Sequence, residues 1–153
     1  ERWWQWMLGA LALFTVLYLL NRWRMRPRME RVVDETPLSR ADAAFARLDA
    51  RRLIDAGEGG RHVALVAEIV RRYLADVEPS LALSLTNAEL LAVAAPIAAI
   101  PQRQLVLLLQ QVDAVRFGGM RIISATAQRV GGMAREIVRE IERARASSTT
   151  RAA

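Results

Sequence analysis

Few residue types in this 153-residue chain can do chemistry. There is no cysteine, which excludes disulfides, thiolate metal sites and thiol nucleophiles, and His62 is the only imidazole. His62 follows Gly57-Glu58-Gly59-Gly60 at the start of a helical pattern, where a capping or surface role is expected of it. The glycine stretch lacks both the spacing of a phosphate-cradling loop and a preceding strand, and it reads as a flexible turn. Two carboxylate pairs have spacings compatible with acid–base or di-metal work: Asp42 with Asp49, and Glu136 with Glu140. A di-metal site in a helical bundle uses Glu-x-x-His on facing helices, whereas Arg139, Arg143 and other arginines are interleaved with these carboxylates, so they read as solvated ion pairs. No constellation calls for a catalytic residue, a metal or a cofactor. The sequence reads as a non-enzymatic protein that acts by binding.

Stepping outward from the side chains, charge and aromatic content divide the chain. Residues 1–31 hold six arginines against two glutamates, the tail from Arg143 onward holds three arginines and no acid, and the stretch between is nearly neutral. A nucleic-acid-binding domain gathers positive charge on its folded surface, so this distribution argues against one. Six of the nine aromatics lie in the first 23 residues. From Trp3 to Leu20 no residue is charged, and as a helix at about 1.5 Å per residue this run matches the hydrocarbon thickness of a bilayer. Trp3, Trp4 and Trp6 at one end, with Tyr18 and Trp23 at the other, suit the two membrane interfaces. Arg22, Arg24, Arg26, Arg28 and Arg31 follow the span and only Arg2 precedes it, which puts the C-terminal side in the cytoplasm. Positive charge after the apolar run, with no small-residue cleavage site, favours a retained anchor over a signal peptide. The expectation is a single-pass protein of the bacterial inner (cytoplasmic) membrane with its N-terminus outside, touching lipid through these aromatics and through Arg22, Arg24, Arg26 and Arg28.

Beyond this anchor (1–27) and a polar connector (28–38), apolar residues recur at helical spacing. The expected fold class is all-α: one N-terminal transmembrane helix, then a small cytoplasmic bundle of about five helices over 39–146, then a disordered tail over 147–153. Ser39 with Asp42 suggests a capping-box start for a first helix over 39–56, striped by Ala41, Phe45, Leu48 and Leu53 and stopped at Gly57. A second helix over 61–77 is expected to bury Leu65, Val66, Ile69, Tyr73 and Val77, with Glu68 and Arg72 paired on another face. Thr86 with Glu89 is a capping box for a short third helix ended by Pro96. A fourth runs from Pro101 to Gly118-Gly119, and a fifth, over 124–146, is striped by Ala127, Val130, Ala134, Ile137 and Ile141. Leu81–Leu85 is the one stretch that reads as extended.

Three segments carry a family resemblance: Ile69-Val-Arg-Arg-Tyr-Leu74, Leu85-Thr-Asn-Ala-Glu-Leu-Leu91 and Val112-Asp-Ala-Val-Arg-Phe-Gly118. In order and spacing they resemble the "RRYL", "T-x-x-EL" and "AD-x-V-(K/R)-F" signatures of a small helical domain in single-span bacterial proteins of the aerotolerance (Bat-type) group and relatives of unknown function. The resemblance implies a membrane adaptor or complex-assembly component working with a MoxR-type AAA+ ATPase and von Willebrand factor A domain proteins; it transfers no catalytic residue. The same residues have structural readings: Tyr73 and Phe117 as core aromatics, Thr86 and Glu89 as a cap, Asp113 with Arg116 as a surface ion pair. A competing function is that of a structural accessory subunit in a large respiratory, photosynthetic or transport membrane complex. For either, the candidate partner-binding surface is the last helix, where Gly131 and Gly132 permit close approach and Arg139, Arg143 and Arg145 suit acidic groups, unless that helix completes the domain's own core.

Overall fold

Thr36 caps the first described helix. Its hydroxyl accepts a hydrogen bond from the Ser39 backbone N–H at 3.2 Å, and Pro37 takes the first helical turn, where its missing N–H costs nothing. The computed structural model describes residues 36–118 and 122–152, which belong to the unit Glu35–Ala153. They form five α-helices: α1 (Pro37–Ala50), α2 (Gly59–Val77), α3 (Asn87–Ala94), α4 (Gln102–Gly118) and α5 (Ser124–Ala152). There is no strand among the described residues. The all-helical expectation holds, and so does the count of five.

Boundaries differ from the expectation at three places. The first helix is capped by Thr36, not Ser39, and it ends at Ala50 instead of 56. At about 100° per residue, a continuing helix would swing Leu53 well off the stripe of Ala41, Phe45 and Leu48 and put Arg52 on it. The chain instead turns over 51–57, with Arg52 in the left-handed region at φ 48°, and Leu53 is buried. Gly57, at φ 76°, supplies the second left-handed residue of this turn, while Gly59 and Gly60 already belong to α2. The Leu81–Leu85 stretch is a series of turns, with Leu81 N–H donating to the Glu78 carbonyl and Leu85 N–H to the Ala82 carbonyl. At the C-terminus, α5 runs on through Ala152, past the boundary expected at 146.

α2 is the central element and touches α1, α4 and α5; α3 packs on α4, and α5 also meets α1 and α4. The buried positions of α2, among them Val63, Val66, Val70, Tyr73 and Leu74, recur every three or four residues, so one wide stripe serves three neighbours. Leu65, Ile69 and Val77 of the expected stripe lie at its edges, only partly buried. The last helix completes this core: Ala127, Val130, Ala134, Ile137 and Ile141 are all buried. Tyr73, 1% exposed, is the core aromatic it was expected to be, whereas the Phe117 side chain lies outside the described residues. No helix among the described residues is long and apolar enough to cross a membrane. The proposed span from Trp3 to Leu20, and with it Trp3, Trp4, Trp6, Tyr18, Trp23, Arg22, Arg24, Arg26 and Arg28, lies outside the described residues.

Candidate functional site

The three segments that carry the family resemblance meet in one polar clasp. Arg71 of α2 donates from one guanidinium nitrogen to Asn87 Oδ1 at 2.6 Å, and Asn87 Nδ2 donates to Asp113 Oδ1 of α4 at 2.7 Å. The other terminal nitrogen of Arg71 donates to the Leu85 carbonyl and, at 3.4 Å, to that of Leu83. The clasp thus fixes the loop over 78–86 to the side of α2 and aligns α3 against α4. Beside it, the capping box at Thr86 is complete: the Glu89 backbone N–H donates to the Thr86 hydroxyl, and the Thr86 backbone N–H donates to Glu89 Oε2. The Thr86 backbone N–H and hydroxyl, both donating to Glu89 Oε2, hold the Glu89 carboxyl below the usual carboxylate range. Asp113 spends its carboxylate on Asn87, so the expected surface pair with Arg116 is replaced by a contact between helices. Arg71 and Asp113 lie at specified positions of the quoted signatures, and Asn87, at a position the "T-x-x-EL" pattern leaves open, joins them into a fold fastener.

His62 is not the capping or surface residue expected of it. It is 5% exposed and faces α5 at Gly131, where an added Cβ would come within 3.2 Å of His62 Nε2. Gly131 is therefore committed to a contact inside the domain. Burial pushes the His62 imidazole below its usual value; the nearby Asp49 carboxylate opposes that shift and the Arg135 guanidinium adds to it. One terminal nitrogen of Arg135 donates to both carboxylate oxygens of Asp49, at 2.7 and 2.8 Å, and the Arg135 guanidinium lies 4.9 Å from the centre of the Phe45 ring. Asp42 takes no part, so the Asp42–Asp49 pair is not assembled, and no metal-holding cluster of His, Asp and Glu occurs among the described residues.

The other partner-binding candidates of α5 separate by face. Gly132 and Arg139 are exposed and share an outer stripe with Glu136 and Arg143, the last two being ion-paired. Arg145 lies elsewhere, 3.2 Å from Glu142 Oε1, and that same oxygen accepts the Tyr73 hydroxyl hydrogen bond at 2.7 Å. Burial and the Glu142 hydrogen bond push the Tyr73 phenol well above its usual value.

Sequence reasoning missed a groove of about 440 Å³ between α1 and α2. Ala41 and Ala44 face Leu65 and Ile69 across it, and two alanines leave space that the larger side chains of α2 do not fill. Arg40, Arg47 and Arg51 follow one another along the α1 rim, and Glu68, Arg72 and Asp76 along the α2 rim, each at spacings that repeat a helical face. Arg40 pairs with Asp76 at 3.4 Å and Arg72 with Glu68 at 3.2 Å. Arg47 and Arg51, both exposed, have no acidic partner among the described residues. The signal was present in the sequence as Ala44 on the inner side of α1 and as three arginines spaced seven and four apart.

Compared with protein-family models, with curated proteins and with solved structures, the chain matches none. The functional reading therefore rests on its own residues.

Proposed function

We propose that this chain is a non-enzymatic, single-span membrane protein whose helical domain lies on the cytoplasmic side and binds a partner protein during complex assembly. The observation that carries the reading is the α1–α2 groove: a recessed apolar floor beside two arginines that no acid of the described domain neutralises. Desolvated apolar floors edged by arginine are what protein interfaces are built from. The membrane part of the proposal rests on the uncharged run Trp3–Leu20 and the arginines that follow it. The Bat-type resemblance names the first partners to test, a MoxR-type AAA+ ATPase and von Willebrand factor A domain proteins.

Two measurements test this. Single cysteines at Glu1 and Ser148 of this cysteine-free chain should label from opposite sides of intact cells, with Ser148 protected. Labelling of Ser148 from outside would overturn the orientation. Purification of the full chain in mild detergent should bring specific protein partners with it. An AAA+ ATPase supports the adaptor role, respiratory or photosynthetic subunits would replace it with the accessory-subunit role, and recovery of the chain alone would refute both.

A further inference from the structure

The rim of the groove specifies the chemistry of its occupant, an inference that rests on the adaptor reading above. We propose that the α1–α2 groove receives an acidic amphipathic helix of a partner protein, with its apolar face on Ala44 and Ile69 and its carboxylates on Arg47 and Arg51.

Charge complementarity selects an acidic ligand. Each of the two rim acids already has an arginine, so the net excess falls on Arg47 and Arg51, and planar guanidinium groups engage carboxylates through paired hydrogen bonds. Shape selects a helix. The groove follows α1, whose 14 residues span about 21 Å, so three to four turns of a helix laid beside it present apolar side chains at three- and four-residue spacing. A concave floor does not match a flat lipid surface, because headgroups meeting the rim arginines would leave Ala44 and Ile69 uncovered. The apolar segment Trp3–Leu20 has no carboxylate to offer. Asp34 and Glu35, three and two residues before Pro37, reach at most about 11 Å, whereas Arg47 lies about 15 Å and Arg51 about 21 Å along the helix. Glu30 belongs to a segment that Arg22, Arg24, Arg26, Arg28 and Arg31 make strongly basic.

The test places the photo-crosslinking residue p-benzoylphenylalanine at Ala44 of the full chain in its native membrane, and sequences the adduct formed on irradiation. The expected adduct is a segment of another protein with apolar residues three and four apart and more carboxylates than basic groups. Its yield should fall about tenfold or more in the Arg47→Glu, Arg51→Glu variant and stay within about threefold in Arg47→Lys, Arg51→Lys. An adduct with lipid, with residues 1–35 of this chain, with a second copy or with a neutral or basic segment overturns the proposal, as does a yield that both variants leave unchanged or lower equally. A partner that co-purifies without forming any groove adduct overturns the groove assignment and leaves the adaptor reading standing; absence of any co-purifying partner removes both. All four variant side chains replace exposed arginines outside the core, and thermal melting at the wild-type temperature verifies that the fold is intact.

Discussion

Asn87 is the middle of the clasp, and its replacement by alanine measures what the three signature segments contribute to folding. The side chain makes two hydrogen bonds, accepting from the Arg71 guanidinium at 2.6 Å and donating to the Asp113 carboxylate at 2.7 Å. Bonds to charged groups contribute about 1.5–3 kcal/mol each, and partial exposure puts these toward the lower end, so Asn87→Ala should cost about 2–4 kcal/mol. Asp113→Ala removes one of the two bonds and should cost about 1–2 kcal/mol. Because both variants delete the same Asn87–Asp113 bond, the double variant should be less damaging than the sum by about 1 kcal/mol. Arg71 keeps its bonds to the Leu83 and Leu85 carbonyls, so the loop stays attached and the loss is confined to the contacts of α3 with α2 and α4. Urea denaturation of residues 36–152, followed by circular dichroism, gives all three numbers. It also tests whether this region folds without the segment before it, as expected of a core closed within residues 36–152. A loss below about 0.5 kcal/mol for Asn87→Ala, or additivity within about 0.3 kcal/mol, would refute the clasp as a structural unit.

Tyr73→Ala should cost about 3–5 kcal/mol as a buried aromatic, and Tyr73→Phe about 1–2 kcal/mol for the lost bond to Glu142, both read by the same denaturation. Since the folded phenol titrates above its unfolded value of 10.0, its contribution is intact below that pH and declines as pH rises beyond it; Tyr73→Phe should remove this alkaline loss. The His62 imidazole titrates below its unfolded value of 6.5, so its contribution is present above that pH and declines as pH falls through it; His62→Gln should flatten the slope in stability measured from pH 7.5 to 5. Gly132 meets open space in the middle of a helix, and Gly132→Ala should stabilise the domain by about 0.5–1 kcal/mol; destabilisation would show that this position is packed.

Helix existence was legible because each helix carries a periodic stripe between strong stop signals. Thr86 with Glu89 marked the start of α3, and Pro101 preceded α4 as expected. The end of α1 was less legible, since Leu53 is apolar and near the right place; only the observed left-handed Arg52 reveals that the chain leaves the helix to bury it. The start of α1 was displaced for a local reason: Ser39 and Thr36 are both good caps, and Pro37 decides between them by fixing a helical φ at the residue after Thr36. His62 was misread because its neighbours are glycine and arginine. What buries it is Gly131, distant in sequence, and a pairing between helices leaves no periodic trace in either of them.

The same distinction is why the partner surface is proposed on α1 and α2 instead of α5. Small residues in a helix permit close approach by another chain, but sequence does not say whose. In α5 the close approach is taken by α2: Gly131 admits His62, while Ala127 and Ala134 are buried in the domain's own core. In α1 the small residues Ala41 and Ala44 face α2 across a space that the domain leaves unfilled. Arginine divides in the same way. On α5, Arg135 and Arg143 pair with Asp49 and Glu136, and Arg139, which has no ion pair among the described residues, stands on an outer helix face. Arg47 and Arg51, likewise without an acid of the described domain, instead edge the groove. Surface ion pairs contribute about 0–1 kcal/mol to folding, so two unneutralised arginines cost the domain little stability, and beside an apolar recess they concentrate attraction for carboxylates where a docking helix also buries its apolar face. Such an interface should weaken with rising salt through its arginines while its apolar contacts persist, a combination that a contact made by charge alone or by apolar burial alone does not give.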